Sequence, residues 1–381
     1  MKRARCGRRA WAALPLMLTS RALAQPVISA PAEAPVAVTV TARPAAPRAR
    51  LHPAHIDSPD PFIEQPAALF LERNRIFQSL PHPGRPGARP TLLFEAEVAP
   101  HFFLHEGLSG ALRSTPMGRW GWAFAGSLTV VTRLRMVDPE RSSPVRMPSF
   151  MPRAQLQVFF FQMPNLRGPA PRYWLVSPSF ALAHHSNGQD GCTFDSARRD
   201  DALCQMNIPA RDLAAQLNRQ SGDFSTNYLW ATLHAQRGWV NPHSGAVARS
   251  VTASVELELH PLSMGPGGIS VETARRYGQT RLRFGAEYLE EFGTLRGRAQ
   301  LGVERAFGAH PEVRPYRVWA EVAITSHRWH GFGGFARVHL GQDYYNAFYV
   351  DQLNTLQLGV LWDLSPRLRF HDPGGELPSE G

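Results

Sequence analysis

Apolar and polar residues alternate with a period of two through most of the chain beyond about residue 90. In one segment Val251, Ala253 and Val255 alternate with Thr252 and Ser254. This period is typical of β-strands, whose successive side chains point to opposite faces. Such patterns predict strands near 91–104, 119–136, 153–162, 172–187, 225–238, 248–261, 279–290, 293–307, 315–327, 332–344 and 353–364, with a weaker twelfth near 67–78.

Many of these segments are long enough to cross a bilayer at a tilt, which takes roughly 9–11 residues. A soluble β-sandwich or β-helix would also alternate, but the polar positions here are persistently Arg, Glu and Gln, as expected of a barrel lumen. Closure of the sheet removes unpaired strand edges that lipid would not tolerate. We therefore predict an all-β fold, an antiparallel transmembrane β-barrel of about 12 strands of the outer-membrane type.

The amino-terminal region has the order of an export signal. Basic residues from Lys2 to Arg9 precede an apolar run, Trp11 to Leu18, and then Ala22-Leu23-Ala24. This order predicts a signal peptide at 1–24, cleaved after Ala24. Together with the predicted barrel, it leads us to expect the protein in the outer membrane of a Gram-negative bacterium. We expect a disordered Ala- and Pro-rich periplasmic segment at 25–60, the barrel at 61–364 and a tail at 365–381.

Charge adds little to this picture, because six of the 41 Lys and Arg residues lie in the predicted signal peptide. The remainder nearly balances the 31 Asp and Glu residues, so we expect no nucleic-acid partner. Two cysteines, Cys192 and Cys204, follow the signal peptide. In an exported protein a close pair of this kind most often forms a disulfide.

Candidate chemistry lies on two of the predicted strands. Along 180–188, Phe180, Leu182, His184 and Ser186 share one face, and along 227–235 Asn227 shares its face with Leu229 and other apolar residues. A hydrolytic serine needs a base within reach and a third group that orients the base. We therefore predict a triad of Ser186, His184 and Asn227 on the face of the barrel that contacts lipid.

Gly188 permits a sharp turn after Ser186, which would bring backbone amides to the site of an oxyanion. The sequence contains no G-x-S-x-G elbow, which disfavours a secreted soluble esterase.

The segment His184-His185-Ser186-Asn187-Gly188, followed by Ser225-Thr226-Asn227, resembles the outer-membrane phospholipase A family of Gram-negative bacteria. The signature of that family is H-x-S-N-G with a downstream Asn. Residues 142–144 and 351–360 are also similar to segments of the family, and the resemblance covers roughly residues 60–364. It implies a twelve-stranded barrel that cleaves acyl esters of phospholipids and lysophospholipids, depends on calcium and becomes active as a homodimer.

The resemblance also implies a role for each matching residue. Ser186 would be the nucleophile, His184 the general base and acid, Asn227 the neutral orienting group, and Gly188 an oxyanion donor. The positions that match the family's calcium ligands are Gln189, Asp223 and one of Ser142 or Ser143. In this chain the segment between the Ser and the Asn, residues 189–222, is much longer than in the family and contains Cys192 and Cys204.

A different class of function fits the same pattern. A passive barrel that serves as a pore or scaffold would keep the motif without catalysis. Conductance in planar bilayers without esterase activity would favour this alternative, whereas charges of opposite sign that pair across a narrow lumen would block flow.

Overall fold

The computed structural model describes residues 66–81, 92–137, 145–193, 217–219, 221–262, 268–269, 271–311 and 313–370. The predicted signal peptide 1–24, the 25–60 segment, Ser142, Ser143, Cys204 and tail residues 371–381 lie outside these ranges. All described residues belong to one compact unit, Arg50–Gly381. No helix in the described ranges is long and apolar enough to span a membrane.

Thirteen strands form one antiparallel sheet, in which strands that follow each other in the chain are paired, except that β2 and β3 both pair with β4 and not with each other. The strands are β1 (Asn74–Pro81), β2 (Leu92–Val98), β3 (His101–Glu106), β4 (Trp120–Val137), β5 (Val145–Gln162), β6 (Arg172–Ser186), β7 (Ser225–Val240), β8 (Val247–Leu259), β9 (Thr280–Phe292), β10 (Leu295–Phe307), β11 (Tyr316–Ser326), β12 (Phe332–Gly341) and β13 (Thr355–Trp362).

The sheet closes on itself, because β1 pairs with both β13 and β2 while β2 also pairs with β4. Strands β2 and β3 both lie against β4 and are separated by Ala99 and Pro100. They form two halves of a single barrel strand, interrupted where Pro100 has no backbone N–H to donate. The fold is therefore the predicted closed antiparallel barrel with 12 strands around its wall.

Alternation along each strand sorts the side chains between lipid and lumen. On β6, Phe180 is 50% and Leu182 53% exposed, whereas Ala181 between them is fully buried. A soluble protein that exposed large apolar side chains all around its surface would aggregate in water. This outer surface is therefore the lipid-facing wall of a transmembrane barrel.

The two ends of the barrel differ. Strands β6, β8 and β12 end at one end of the barrel and are each followed by a long segment before the next strand begins there. At the other end, β9 joins β10 through a two-residue turn, residues 293–294. Outer-membrane barrels have long extracellular loops and short periplasmic turns. Exposed aromatic residues form a girdle at the short-turn end, as at a membrane interface: Trp120, Trp122, Phe160, Trp174, Phe292, Trp329 and Phe332.

Ion pairs fill the lumen. Arg135 donates to Glu95 at 3.1 Å and to Asp343 at 2.8 Å, and Arg283 donates to Glu304 at 2.7 Å. Arg73 reaches from a segment just before β1 to Glu287 on β9, at 2.9 Å. These contacts cross-link the wall, and a cavity of about 240 Å³ lies among them in the lumen.

Both ends of the lumen are packed. At the short-turn end, Leu108 and Leu112 of helix α1 (Leu108–Ser114) join a buried cluster with Leu368 and Phe370, which follow β13. At the long-loop end, Tyr277 of helix α2 (Val271–Tyr277) packs with Phe224, Tyr349 and other loop residues. We call this second group the loop-end cluster; it comprises Leu217, Phe224, Ile269, Ala274, Tyr277, Val313, Tyr349 and Val350.

Candidate functional site

The β6–β7 hairpin positions the three predicted triad residues. Every residue of β6 pairs with β7 without a bulge, which places His184 opposite Asn227 and Ser186 opposite Ser225. His184, Ser186 and Asn227 all have the parity of the exposed Phe180 and Leu182, so they project from the lipid-facing wall. His185, with the opposite parity, is buried in the lumen and 6% exposed.

His184 and Asn227 are hydrogen-bonded across the two strands. The distance from His184 Nδ1 to Asn227 Oδ1 is 2.7 Å. A carbonyl oxygen can only accept, so Nδ1–H of His184 donates to Asn227; in the neutral ring this arrangement leaves the lone pair on Nε2. That tautomer is the one a general base requires.

Ser186 lies two residues beyond His184 on the same face, about 7 Å away along the strand. Among the described residues, no hydrogen bond joins Ser186 Oγ to the His184 ring. Such contacts are often formed only when substrate is bound, so the arrangement is compatible with a nucleophile and its base.

The backbone turns sharply after Ser186. Gly188 adopts φ 66°, a left-handed conformation that side chains disfavour. Its amide makes no hydrogen bond to any other described residue, and the glycine is exposed beside Phe150. The amide can therefore donate to a negatively charged oxygen near Ser186.

Asn187 holds this turn in place, a role that the sequence did not predict although the residue belongs to the H-x-S-N-G motif. It is 1% exposed. Its Oδ1 accepts from the amides of Phe224 at 3.0 Å and Gln189 at 3.2 Å, and its Nδ2 donates to Gly222 O at 2.7 Å. The start of β7 is thus tied to the segment that follows Ser186.

The inner side of the hairpin contacts the loop-end cluster. His185 packs edge-on against Phe224 with ring centroids 4.9 Å apart, and Phe224 packs on Tyr277 at 5.1 Å. The backbone that carries the outward-facing residues is therefore supported from within the lumen. Sequence parity indicates that His185 faces inward, but these partners come from distant loops.

Of the predicted calcium ligands, Gln189 and Asp223 are described and Ser142 and Ser143 are not. Gln189 is exposed, and Asp223 accepts a hydrogen bond from the Thr193 hydroxyl. The described residues contain no group of three or more His, Cys, Asp or Glu that could hold a metal. Oxygen donors of this kind suit calcium, but calcium takes 6–8 of them, so these two residues alone would not complete a calcium site.

The long 189–222 segment is anchored near the same place. Gly191 forms a parallel bridge with Gly222, and Asp223 N donates to Gly191 O at 2.7 Å. Cys192 is disulfide-bonded, and Cys204 lies outside the described residues. Near the end of the segment, Arg219 donates a hydrogen bond to Asp351 at 2.9 Å, which connects the segment to the β12–β13 loop.

The fold and this surface define a transmembrane β-barrel of the outer-membrane type with a Ser, a hydrogen-bonded His–Asn pair and the turn at Gly188 on its lipid-facing wall. No family model and no curated protein matches the chain.

Several solved structures are similar to the chain. Outer membrane phospholipase A from Escherichia coli is 14% identical over 81% of this chain and 95% of that chain, with TM-score 0.39. The Salmonella typhi outer membrane phospholipase dimer with bound calcium is 13% identical over 77% and 91%, with TM-score 0.39. The β-domain of the Bordetella autotransporter BrkA is 11% identical over 76% and 97%, with TM-score 0.33. At these identities the likeness concerns the fold alone.

Proposed function

We propose that this protein is an outer-membrane hydrolase that cleaves acyl ester bonds of phospholipids and lysophospholipids at the outer surface of its barrel. The observation that carries the proposal is the 2.7 Å hydrogen bond between His184 and Asn227, on the same lipid-facing surface as Ser186. Polar groups on a hydrocarbon-facing wall are costly, and a role in ester hydrolysis explains their presence.

The position of Ser186 along β6 suits this substrate. Trp174 in the aromatic girdle lies twelve residues earlier on the same strand, a distance of roughly 40 Å at the usual rise per residue. With a tilt of about 35–45° this corresponds to roughly 30 Å across the membrane. Ser186 therefore lies near the boundary at the long-loop end, where ester groups of outer-leaflet lipids are found, and Phe180 and Leu182 between them contact acyl chains.

In the proposed reaction Ser186 Oγ attacks the ester carbonyl carbon while His184 Nε2 takes the hydroxyl proton. Asn227 Oδ1 keeps the ring oriented and stabilises the imidazolium through Nδ1–H. The Gly188 amide donates to the oxyanion of the tetrahedral intermediate. The intermediate collapses to an acyl-serine as His184 returns the proton to the departing alcohol, and water then hydrolyses the acyl-serine with His184 as base.

Calcium belongs to the proposal, with Gln189, Asp223 and Ser142 as its ligands, and it would supply positive charge near the oxyanion. We also propose export through the 1–24 signal peptide and activity as a homodimer.

A passive pore is supported less well than a hydrolase. The lumen is crossed by charge pairs such as Arg135 with Asp343, and both of its ends are packed. Lipid that reaches Ser186 has no need to enter this space, so a closed lumen is compatible with hydrolysis at the outer wall.

The test is fatty-acid release from phospholipid micelles by the refolded protein and its Ser186→Ala variant. We expect the variant to lose at least about 10³-fold in kcat while keeping heat-modifiable barrel migration on gels. Ser177→Ala, on the lumenal face of the same strand, serves as the matched control and should retain activity. Full activity in the Ser186 variant, or no activity in the unmodified protein, would refute the proposal.

A further inference from the structure

A second polar group lies on the lipid-facing wall, at the short-turn end and far from Ser186. Trp174 of β6 pairs with Arg237 of β7, and Trp239 of β7 pairs with Arg249 of β8. All four share the outward parity of their strands. We call these four residues the girdle cluster.

The two arginines flank the same indole ring. The guanidinium carbon of Arg249 lies 5.1 Å and that of Arg237 5.7 Å from the centre of the Trp239 ring, and Arg237 also lies 5.0 Å from the centre of the Trp174 ring. These cation–π contacts hold both positive groups close to the wall.

Neither arginine forms an ion pair with any other described residue. The Nε atom of Arg237 is buried and has no hydrogen-bond partner within the described ranges. The carboxylate beside the cluster is Glu290, which lies opposite Arg249 in the register of β8 with β9. Glu290 accepts a hydrogen bond from the Tyr288 hydroxyl at 2.8 Å, and the side chain of Arg249 is hydrogen-bonded to the same hydroxyl.

Arg172 of β6 lies opposite Trp239 on the same outward face and is exposed. Three arginines and one glutamate leave a local charge of about +2, which favours the binding of an anion at this place.

The position of the girdle cluster across the membrane indicates which kind of anion would bind to it. Trp residues in a girdle lie at the level of lipid headgroups, and the outward residues between Trp174 and Ser186 on β6 are predominantly apolar. A cation at the hydrocarbon boundary is costly without a partner. Phosphate oxygens accept hydrogen bonds from guanidinium groups in a bidentate manner, and the indole rings would cover the adjoining glycerol and acyl chains.

We propose that the girdle cluster binds the phosphate of an anionic glycerophospholipid in the membrane leaflet at the short-turn end. Arg237 and Arg249 donate to the phosphate, and Trp174 and Trp239 pack against the lipid. The cluster lies roughly 40 Å along β6 from Ser186, so this site does not depend on the proposed hydrolysis.

The experiment uses the refolded full chain in a neutral detergent, with native mass spectrometry to count bound lipids. The probes are phosphatidylglycerol and phosphatidylcholine with identical ether-linked chains, which an acyl-ester hydrolase cannot cleave. We compare the unmodified protein with the double variant Arg237→Gln, Arg249→Gln. The matched control is Arg305→Gln, an exposed arginine at the long-loop end that lies over Phe307 at 4.8 Å and Tyr316 at 5.2 Å.

We expect the unmodified protein and the Arg305 variant to retain one phosphatidylglycerol in preference to phosphatidylcholine. Each arginine near a membrane surface contributes roughly fivefold to the binding of an anionic lipid, so the double variant should bind phosphatidylglycerol about 30-fold more weakly. Equal retention of the two lipids, or undiminished binding by the double variant, would overturn the proposal. Heat-modifiable migration of each variant establishes that the barrel is folded.

Discussion

Asn227 Oδ1 lies 2.7 Å from His184 Nδ1 on the wall of the barrel that contacts lipid. The bond joins two neighbouring strands whose pairing has no bulge, so its geometry is set by backbone hydrogen bonds on both sides. A neutral amide rather than a carboxylate orients the imidazole. This arrangement avoids placing a fixed negative charge against hydrocarbon, where it would be costly.

Replacement of Asn227 by Ala should reduce kcat for ester hydrolysis by about 10²-fold with little change in KM, because the ring loses the acceptor that fixes its tautomer. Asn227→Asp keeps an acceptor oxygen and should retain more activity than the Ala variant. Fatty-acid release measured over a range of substrate concentrations separates kcat from KM. An Ala variant with unchanged kcat would show that Asn227 does not orient the base.

Replacement of Asn187 by Ala should lower both stability and kcat. The change removes the acceptor of the Phe224 and Gln189 amides and the donor to Gly222 O, and each buried polar group left unpaired costs about 1–3 kcal/mol. Urea midpoints read from heat-modifiable migration give the stability, and micelle assays give kcat. Asn165→Ala, in the exposed β5–β6 turn, is the control. A variant as stable and as active as the unmodified protein would contradict the proposed support of the turn.

Replacement of Asp223 by Ala should weaken calcium binding at least about tenfold, since a carboxylate is a strong calcium ligand. Titration calorimetry of the refolded protein measures this directly. Asp190→Ala removes an exposed carboxylate of the same segment and should have little effect. Calcium affinity unchanged by the Asp223 variant would remove this residue from the proposed metal site.

Asp363, which follows β13 at the short-turn end, should make the barrel sensitive to acid. Burial alone would raise its pKa, but Arg298, Arg73 and Arg296 outweigh burial and hold the pKa of this carboxyl well below its ordinary value. A carboxyl whose pKa is lower in the folded state stabilises the fold fully above its unfolded pKa of about 3.9, and this contribution is lost as the pH falls toward the folded pKa.

Asp363→Asn should therefore lower the urea midpoint at pH 7 and reduce the difference between pH 7 and pH 3. Gel migration after incubation in urea at each pH provides the measurement. The same acid-induced loss of stability in both proteins would assign it to other carboxylates.

Most of the barrel could be predicted from alternation alone, and the departures have physical causes. Strand β5 begins at Val145 rather than near 153, because Pro148 and Pro152 obscure its pattern. Both prolines are part of the strand. The pairing of β5 with β4 continues through Pro152, whereas the pairing of β5 with β6 is interrupted at Pro152. Proline is tolerated where the missing N–H points to such an interruption.

The weak strand predicted near 67–78 begins later, at Asn74, because residues 66–70 form a short 3₁₀ helix. Phe70 from that helix stacks on the lumenal His234 with ring centroids 4.5 Å apart. Alternation cannot distinguish an apolar segment that enters the lumen from one that continues the wall, so sequence did not reveal this packing.

Parity was sufficient to place His184, Ser186 and Asn227 on one surface, since it depends only on strand periodicity. It could not identify the hydrogen bonds of Asn187 or the contacts of His185, which involve residues about 40 positions away in the chain. It also could not identify the partners of the lumenal arginines, because those depend on how far each strand is staggered around the barrel.

Because the strand is broken at Ala99 and Pro100, the backbone hydrogen bonding around the described barrel is incomplete at the level of β3. Strand β2 is held by β1 on one side and β4 on the other, but β3 is held by β4 alone within the described part of the chain. The barrel wall therefore has a short unpaired strand edge along β3, and local opening starts where the fewest backbone hydrogen bonds must break. Backbone amides of β3 should accordingly exchange with deuterium well before those of β2.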